Sequence, residues 1–250
     1  MQRCMQSVRE WAAARGYAYE FVDDALFDFL PAHIRNNAQA PLLPKTDIAR
    51  LGLLNDRLAQ HYERAVWLDA DILVFDPEAF TLPEACGAMF CHEIWTSRNR
   101  NDEGALVHQR RINNALMIFE RAHPLLNFLR YASVELYEHG DPAAMSPAAL
   151  GTTLLSKLGR ILPLRLHPQV ACLNPILLNA AYYGNRPEWL HAHAQQHGYR
   201  FCAANLCRSM QVATSSSRSP SALNEDQMQA LVERLIATRG RVLFGEPLNA

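Results

Sequence analysis

The sequence predicts an α/β fold built on a mainly parallel sheet with helices on both faces. Short apolar runs at Val66–Leu68, Gly87–Cys91 and Leu116–Phe119 alternate with amphipathic helical stretches, the order expected of βαβ units rather than of bundles or sandwiches. A chain of 250 residues buries a sizeable core without staples, as one large domain or two small ones. No internal repeat points to a solenoid or propeller.

The elements follow from local pattern. Cys4, Met5, Val8, Trp11 and Ala12 recur at helical spacing and Gly16 supplies a stop. Tyr17, Tyr19 and Phe21 alternate like a strand ending at Asp23 and Asp24. Pro31, Pro41 and Pro44 bound a loop around Asn36 and Asn37. From about Thr46 to Gln60, Ile48, Leu51, Leu54 and Leu58 trace a helix that opens on capping-type Thr46 and Asp47. The Val66–Leu68 strand comes next, and Asp76 and Pro77 form a turn. Residues 96–111 are polar and aperiodic, which predicts a long surface loop. After His123 and Pro124 a helix carries Leu125, Leu129, Ala132 and Leu136 on one face. Leu150–Leu158 reads as helix, Ile161–Leu166 as strand, and Val170–Tyr183 as either.

Composition bounds the organisation. Residues 1–214 read as one domain and 215–223, rich in serine, as a linker. Residues 224–250 read as an amphipathic helix and tail packing on the body; it opens on Asn224 and Gln227 at capping-box spacing and carries Met228, Leu231, Val232, Leu235 and Ile236 on its apolar face. A net charge of −1 gives no electrostatic footprint for nucleic acid or an anionic membrane. The six cysteines contain no Cys-x-x-Cys pair, and no apolar run approaches the roughly 18 residues of a membrane span. With no signal peptide in view, these features predict a soluble cytoplasmic protein with reduced thiols.

The chemistry concentrates at Asp69 and Asp71, two carboxylates at the end of an otherwise apolar strand. Like charges withdrawn from water are costly unless a cation or hydrogen-bond donors meet them. One reading is a hard divalent ion, Mg²⁺ or Mn²⁺, which prefers oxygen ligands. The other is a strand-to-turn junction whose aspartates bond local backbone N–H groups. Upstream, Asp47 and Arg50 stand three apart on one helical face, either as a surface ion pair worth about 0.2–0.5 kcal/mol or as a face turned into a cleft to hold sugar hydroxyls.

The stretch Lys45–Pro77, KTDIARLGLLNDRLAQHYERAVWLDADILVFDP, resembles GT-A-type glycosyltransferases with a D-x-D sugar-binding region. It is most similar to the retaining group, mannosyltransferase-like and toxin glucosyltransferase-like, whose signature runs K-x-D-x-x-R, helix, then strand and D-x-D. The resemblance implies a Rossmann-like GT-A fold and transfer of a sugar from a nucleotide diphosphate sugar to a saccharide or glycolipid hydroxyl, with Mn²⁺ or Mg²⁺ and with retention. Surface-polysaccharide or glycolipid synthesis is the implied setting. It also implies that Asp47 and Arg50 hold the donor sugar, that Asp69 contacts ribose and the metal's hydration shell, and that Asp71 ligates the metal.

Three later segments extend the likeness. INNALMIFERAHPLLNFL makes Asn114 a sugar contact, or else an edge-strand turn residue. ALGTTLLSKLG resembles a segment that reads Gly-Pro in relatives; here Thr152 follows Gly151. In FCAANLCRSM, Asn205 stands where many relatives place a histidine ligand, with Arg208 and Ser209 beside it for phosphate. An inverting enzyme would instead need a base, for which Glu93, Asp102 and Glu103 are the nearby carboxylates. Relatives also begin with an apolar strand ahead of the first helix; its absence here implies a late start or a fragment, with free edges on the neighbouring strands.

Competing signals are weaker. His191, His193 and His197 with Cys202 and Cys207 lack the spacing of a standard zinc site and read as a histidine-rich surface helix or loop. No Gly-rich nucleotide loop, Walker loop or serine elbow is present. The alternatives to a transferase are a catalytically impaired scaffold of the same fold and a sugar nucleotidyltransferase.

Overall fold

The computed structural model describes residues 1–38, 41–60, 62–99, 105–199, 201–208 and 222–245. It is an α/β structure whose strands form two mixed sheets. The chain opens with α1 (Gln2–Ala14), passes a 3-10 turn (Asp24–Phe29) and α2 (Ala32–Arg35), and enters α3 (Leu42–Gln60). Strands β1 (Arg64–Leu68), β2 (Ile72–Val74), β3 (Ala88–Arg98) and β4 (Leu106–Glu120) follow, then α4 (Pro124–His139) and α5 (Leu154–Leu158). Next come β5 (Arg165–His167), β6 (Val170–Cys172), α6 (Pro175–Tyr183), α7 (Pro187–His197), β7 (Ala203–Asn205) and α8 (Glu225–Ala237).

The expected mainly parallel sheet is replaced by two mixed ones. The first runs β1-β4-β3-β5 and the second β2-β7-β6. β4 is antiparallel to both β1 and β3, and β2 is antiparallel to β7, while β3–β5 and β6–β7 are parallel. The reason is the segment expected as a surface loop. Thr96, Ser97 and Arg98 finish β3, and residues 106–111 begin β4, so the two strands form one long antiparallel hairpin. Alternation is imperfect there because its outer half carries charge on both faces, which hides a strand from a period-2 reading. Asp102 and Glu103 lie outside the described residues.

Helices cover both faces of the first sheet. Phe90, Met117 and Phe119 pack under Leu51, Leu54 and Leu58 of α3, Leu126 and Leu129 of α4, and Leu155 of α5. On the opposite face Met89, Cys91, Leu116 and Ile118 meet Val8, Trp11 and Ala12 of α1. Each fully buried large side chain contributes about 1.5–3 kcal/mol. The second sheet packs Leu73, Ala171 and Ala204 against α6, α7 and α8. Helix α8 starts on a complete Asn224–Gln227 capping box and buries Met228, Leu231, Val232 and Leu235. Most of the expected linker lies outside the described residues.

Smaller corrections have local causes. Tyr17, Tyr19 and Phe21 form no strand and are exposed. Helix α3 begins at Leu42, ahead of Thr46, whose hydroxyl bonds the Leu42 carbonyl instead of capping. The buried stripe of α4 is Leu126, Leu129, Ser133 and Tyr137, while Leu136 faces solvent. Strand β5 is confined to Arg165–His167, and Ile161 is 76% exposed. Among the described residues β1 pairs only with β4, and a cavity of about 640 Å³ runs along its other edge toward α1 and residues 17–22. No helix of these residues is long and apolar enough to cross a membrane.

Candidate functional site

The chain passes from the first sheet to the second through Asp69-Ala70-Asp71. Asp69 closes the first sheet, its N–H bonding the Ala115 carbonyl at 2.9 Å. Asp71 opens the second, its carbonyl accepting from the Leu206 N–H at 3.1 Å. The two carboxylates therefore stand on the seam between sheets, one belonging to each side.

On the first side, Arg50 and Asp47 project from α3, both buried. The Arg50 guanidinium lies 3.2 Å from Asp69 Oδ1 and 3.6 Å from Asp47 Oδ1. It also lies over the Trp67 ring, 5.2 Å from the centroid. Trp67 and Asp69, two apart on one strand face, are themselves joined, the indole N–H donating to Asp69 Oδ1 at 2.6 Å. Trp67 thus joins the cluster although no motif in the sequence marks it, and its i, i+2 relation to Asp69 is the signal that points to it.

Asn114 reaches this cluster through a bulge. The β3–β4 register jumps from Phe90↔Met117 to Cys91↔Asn113, leaving Asn114 and its two followers without β3 partners. Such bulges bend a strand and re-aim its side chains. Asn114 Nδ2 donates to Asp47 Oδ1 at 2.7 Å. The adjacent Asn113 turns to the other face and donates to the buried Glu93.

Gly151 closes the cluster. It sits in a π-type turn (Ala149–Thr153) ahead of α5 with φ −95 and ψ −106. A Cβ there would lie 2.8 Å from both amide atoms of Asn114 and 2.9 Å from Asp47 Oδ2. The glycine is required for space. Thr152 follows in the same turn, half-buried.

On the second side, β7 presents Asn205 opposite Ile72. Asn205 Nδ2 donates to Asp71 Oδ1 at 2.8 Å, and the Arg208 backbone N–H donates to Asp71 Oδ2 at 2.8 Å. The Cys207 N–H bonds Asn205 Oδ1 at 2.7 Å. An N–H can only donate, so this contact fixes the amide with its NH₂ toward Asp71. Asn205 thus orients Asp71 with a donor instead of offering it a neighbouring oxygen ligand. The Arg208 guanidinium is paired with Glu225 at the start of α8. Ser209 lies outside the described residues.

The electrostatics are unbalanced. Three carboxylates, Asp47, Asp69 and Asp71, face one guanidinium. Burial pushes Asp69 up to about 7; Arg50 opposes the shift, and Asp71 adds to it. Burial likewise raises Asp47 against the pull of Arg50 and Asn114, and raises Asp71 against the Arg208 N–H. Glu93 is raised by burial against Asn113 and Arg111.

Among the described residues no three His, Cys, Asp or Glu side chains converge as a ready-made metal cage. Mg²⁺ and Mn²⁺ do not require one, since one or two carboxylates with substrate phosphates and water suffice. Asp69 and Asp71 fit that role: they are half-buried, share one guanidinium with Asp47, and retain free lone pairs on the bonded oxygens. Of the three α7 histidines expected on a surface helix or loop, His191 is exposed and the other two are not. His193 and His197 are buried against Phe201, and His197 Nε2 bonds the Val170 carbonyl at 3.1 Å.

No family model matches the chain, and no curated protein or solved structure matches it.

Proposed function

We propose that the chain is a metal-dependent glycosyltransferase that moves a sugar from a nucleotide diphosphate sugar to an acceptor hydroxyl with retention. The observation that carries this reading is the convergence of Asp47, Arg50, Asp69, Asn114 and Gly151 beside Asp71, from four separate parts of the chain. A fortuitous surface ion pair would not be buried, bulge-fed and closed by a glycine that fits no side chain.

Each residue has a task in this chemistry. Asp47, held by Asn114, accepts sugar hydroxyls, and Arg50 donates to them while balancing Asp47 and Asp69. Holding the anomeric carbon in one pose lowers the entropic barrier. Gly151 lets the turn ahead of α5 pack directly on the Asp47–Asn114 pair and hold it in place. Asp71, oriented by Asn205 and the Arg208 N–H, and Asp69 hold Mn²⁺ or Mg²⁺; when bound, the ion neutralises charge building on the departing diphosphate. The acceptor proton passes to a diphosphate oxygen, so no side-chain base is assigned. The cavity beside Asp69, walled by Tyr17, Tyr19 and Trp67, has the size of a small-molecule pocket and takes the nucleoside.

The test is a nucleotide-sugar panel with Mn²⁺, read as donor hydrolysis and transfer, on the chain and on Asp71→Ala. Turnover that requires Mn²⁺ and vanishes in a folded Asp71→Ala supports the reading. Turnover that persists with EDTA, or nucleotide binding without turnover of any donor, sinks it; the latter outcome leaves a scaffold of this fold.

A further inference from the structure

Two buried thiols cross the same seam as the aspartates. Cys91 Sγ on β3 lies 3.5 Å from Cys172 Sγ on β6. The cysteines are 0% and 2% exposed, and neither is in a disulfide. Strands β3 and β6 belong to different sheets. Each thiol also sits one strand from half of the candidate site. Cys91 pairs with Asn113 at the edge of the bulge that aims Asn114. Cys172 pairs with Asn205, which orients Asp71, and the Leu173 N–H bonds the Asn205 carbonyl at 2.9 Å.

We propose that Cys91 and Cys172 form a reversible disulfide that locks the spacing of the two sheets and thereby switches the site between them. A disulfide has an S–S bond of about 2.05 Å, so closing a 3.5 Å gap draws the sulfurs together by more than an ångström. Where the strands take up part of that movement the site between the sheets shifts with them, and a misplacement of about an ångström costs about 10²-fold in rate. The crosslink itself stands on the thiol geometry alone; its effect on donor binding rests on the glycosyltransferase reading.

Hydrogen peroxide is the oxidant, small enough to enter a packed interior during local opening. One sulfur, as thiolate, attacks a peroxide oxygen; the O–O bond breaks, leaving a sulfenic acid, and the expelled hydroxide takes the thiol's proton as water. The second sulfur attacks the sulfenic sulfur; the S–S bond forms, the S–O bond breaks, and hydroxide leaves with the second thiol's proton as water. Two thiols are oxidised and one peroxide is reduced to two waters. The hydrogen bond with Cys91 and burial hold the Cys172 thiol protonated, so the reaction is slow. A dithiol reverses it.

The experiment exposes the full chain to millimolar peroxide, blocks remaining thiols, and maps disulfides after cleavage that includes the bond following Phe90, which separates Cys86 from Cys91. The expected product is an intramolecular Cys91–Cys172 disulfide, absent from Cys172→Ser and retained in Cys207→Ser. UDP and GDP binding with Mn²⁺ is then expected to weaken at least tenfold and to recover with dithiothreitol. Should Cys172→Ser not fold, the wild-type map with Cys207→Ser decides the pairing. No disulfide, or pairing of Cys172 with Cys207, overturns the proposal. A Cys91–Cys172 bond with unchanged nucleotide affinity overturns its role as a switch. If the reduced chain binds no nucleotide, the glycosyltransferase reading fails separately, while the map still decides the crosslink.

Discussion

Asn114 donates its side-chain amide to Asp47 across 2.7 Å, joining a bulged strand to a helix 67 residues earlier in the chain. Both groups are buried, so the bond is shielded from water, and it is charge-assisted whenever Asp47 is ionised. Hydrogen bonds to charged groups are worth about 1.5–3 kcal/mol. Asn114→Ala is expected to lower stability by that amount and to reduce turnover. Asn114→Asp sets a second carboxylate against Asp47 and should be worse, most visibly above neutral pH. Denaturant titrations of the three proteins test the order; an Asn114→Asp chain as stable as wild type at pH 8 would contradict it.

Gly151 tests whether space at this contact matters. Its φ is −95, ordinary for any residue, so a substitution acts through contact and not through left-handed strain. Gly151→Ala puts a methyl at 2.8–2.9 Å from Asn114 and Asp47. Overpacking of this kind costs about 1–3 kcal/mol. The expected result is a modest fall in stability and a larger loss of donor binding. Unaltered nucleotide-sugar affinity in Gly151→Ala would place the sugar elsewhere.

Among the described residues Arg50 is the one guanidinium beside Asp47 and Asp69, stacked on Trp67. Removing one partner of a buried ion pair costs about 3–5 kcal/mol because the other charge is left uncompensated. Arg50→Met keeps most of the packing and deletes the charge. It is expected to be destabilised, and Mn²⁺ is expected to restore more of the loss than in wild type. Calorimetric melting with and without Mn²⁺ measures both; a melt insensitive to the substitution would reduce the cluster to a surface pair.

How much of this was readable beforehand follows from where each signal lies. Asp47, Arg50, Asp69 and Asp71 carry their meaning in local spacing, and helix α3 and strand β1 place them together as a helix-strand reading expects. Asn114 was visible as a residue, but its aim depends on a register jump opposite Phe90 and Cys91, which no local pattern encodes. The seam itself was not legible. A triplet between two apolar runs looks the same whether it turns within one sheet or crosses to another. The fate of Arg208 was equally hidden, because its partner Glu225 sits beyond a serine-rich stretch. The β3–β4 hairpin was missed since its outer half is charged on both faces, where burial no longer imposes alternation.

Under the proposed reading, Asp69 links metal binding to a proton. Its carboxyl is raised to about 7 in the folded chain, against about 3.9 when unfolded. The folded state therefore holds a proton that the unfolded state releases, and this contribution to stability is lost as pH rises from about 4 through 7. A bound cation replaces that proton. Mn²⁺ is expected to raise the melting midpoint more at pH 8 than at pH 6, with proton release on binding. Equal stabilisation at the two pH values would separate Asp69 from the metal.

The α7 histidines predict the opposite slope in acid. Burial lowers His193 to about 3 and His197 to about 4, with neighbouring imidazoles adding to both. His193 Nε2 and His197 Nδ1 are buried without a hydrogen-bond partner. Unfolded histidine takes up a proton near pH 6.5. Stability from these rings is thus fully present above that value and lost as pH falls through about 4 and 3. The slope is about 1.4 kcal/mol per pH unit for each ring within the window. The carboxylates of the seam titrate with the reverse sign, so the comparison must be between variants. His193→Leu is expected to flatten the acid limb of the melting profile relative to wild type while leaving Mn²⁺-dependent stabilisation intact. An acid limb unchanged in His193→Leu would show that this ring is not charging on unfolding.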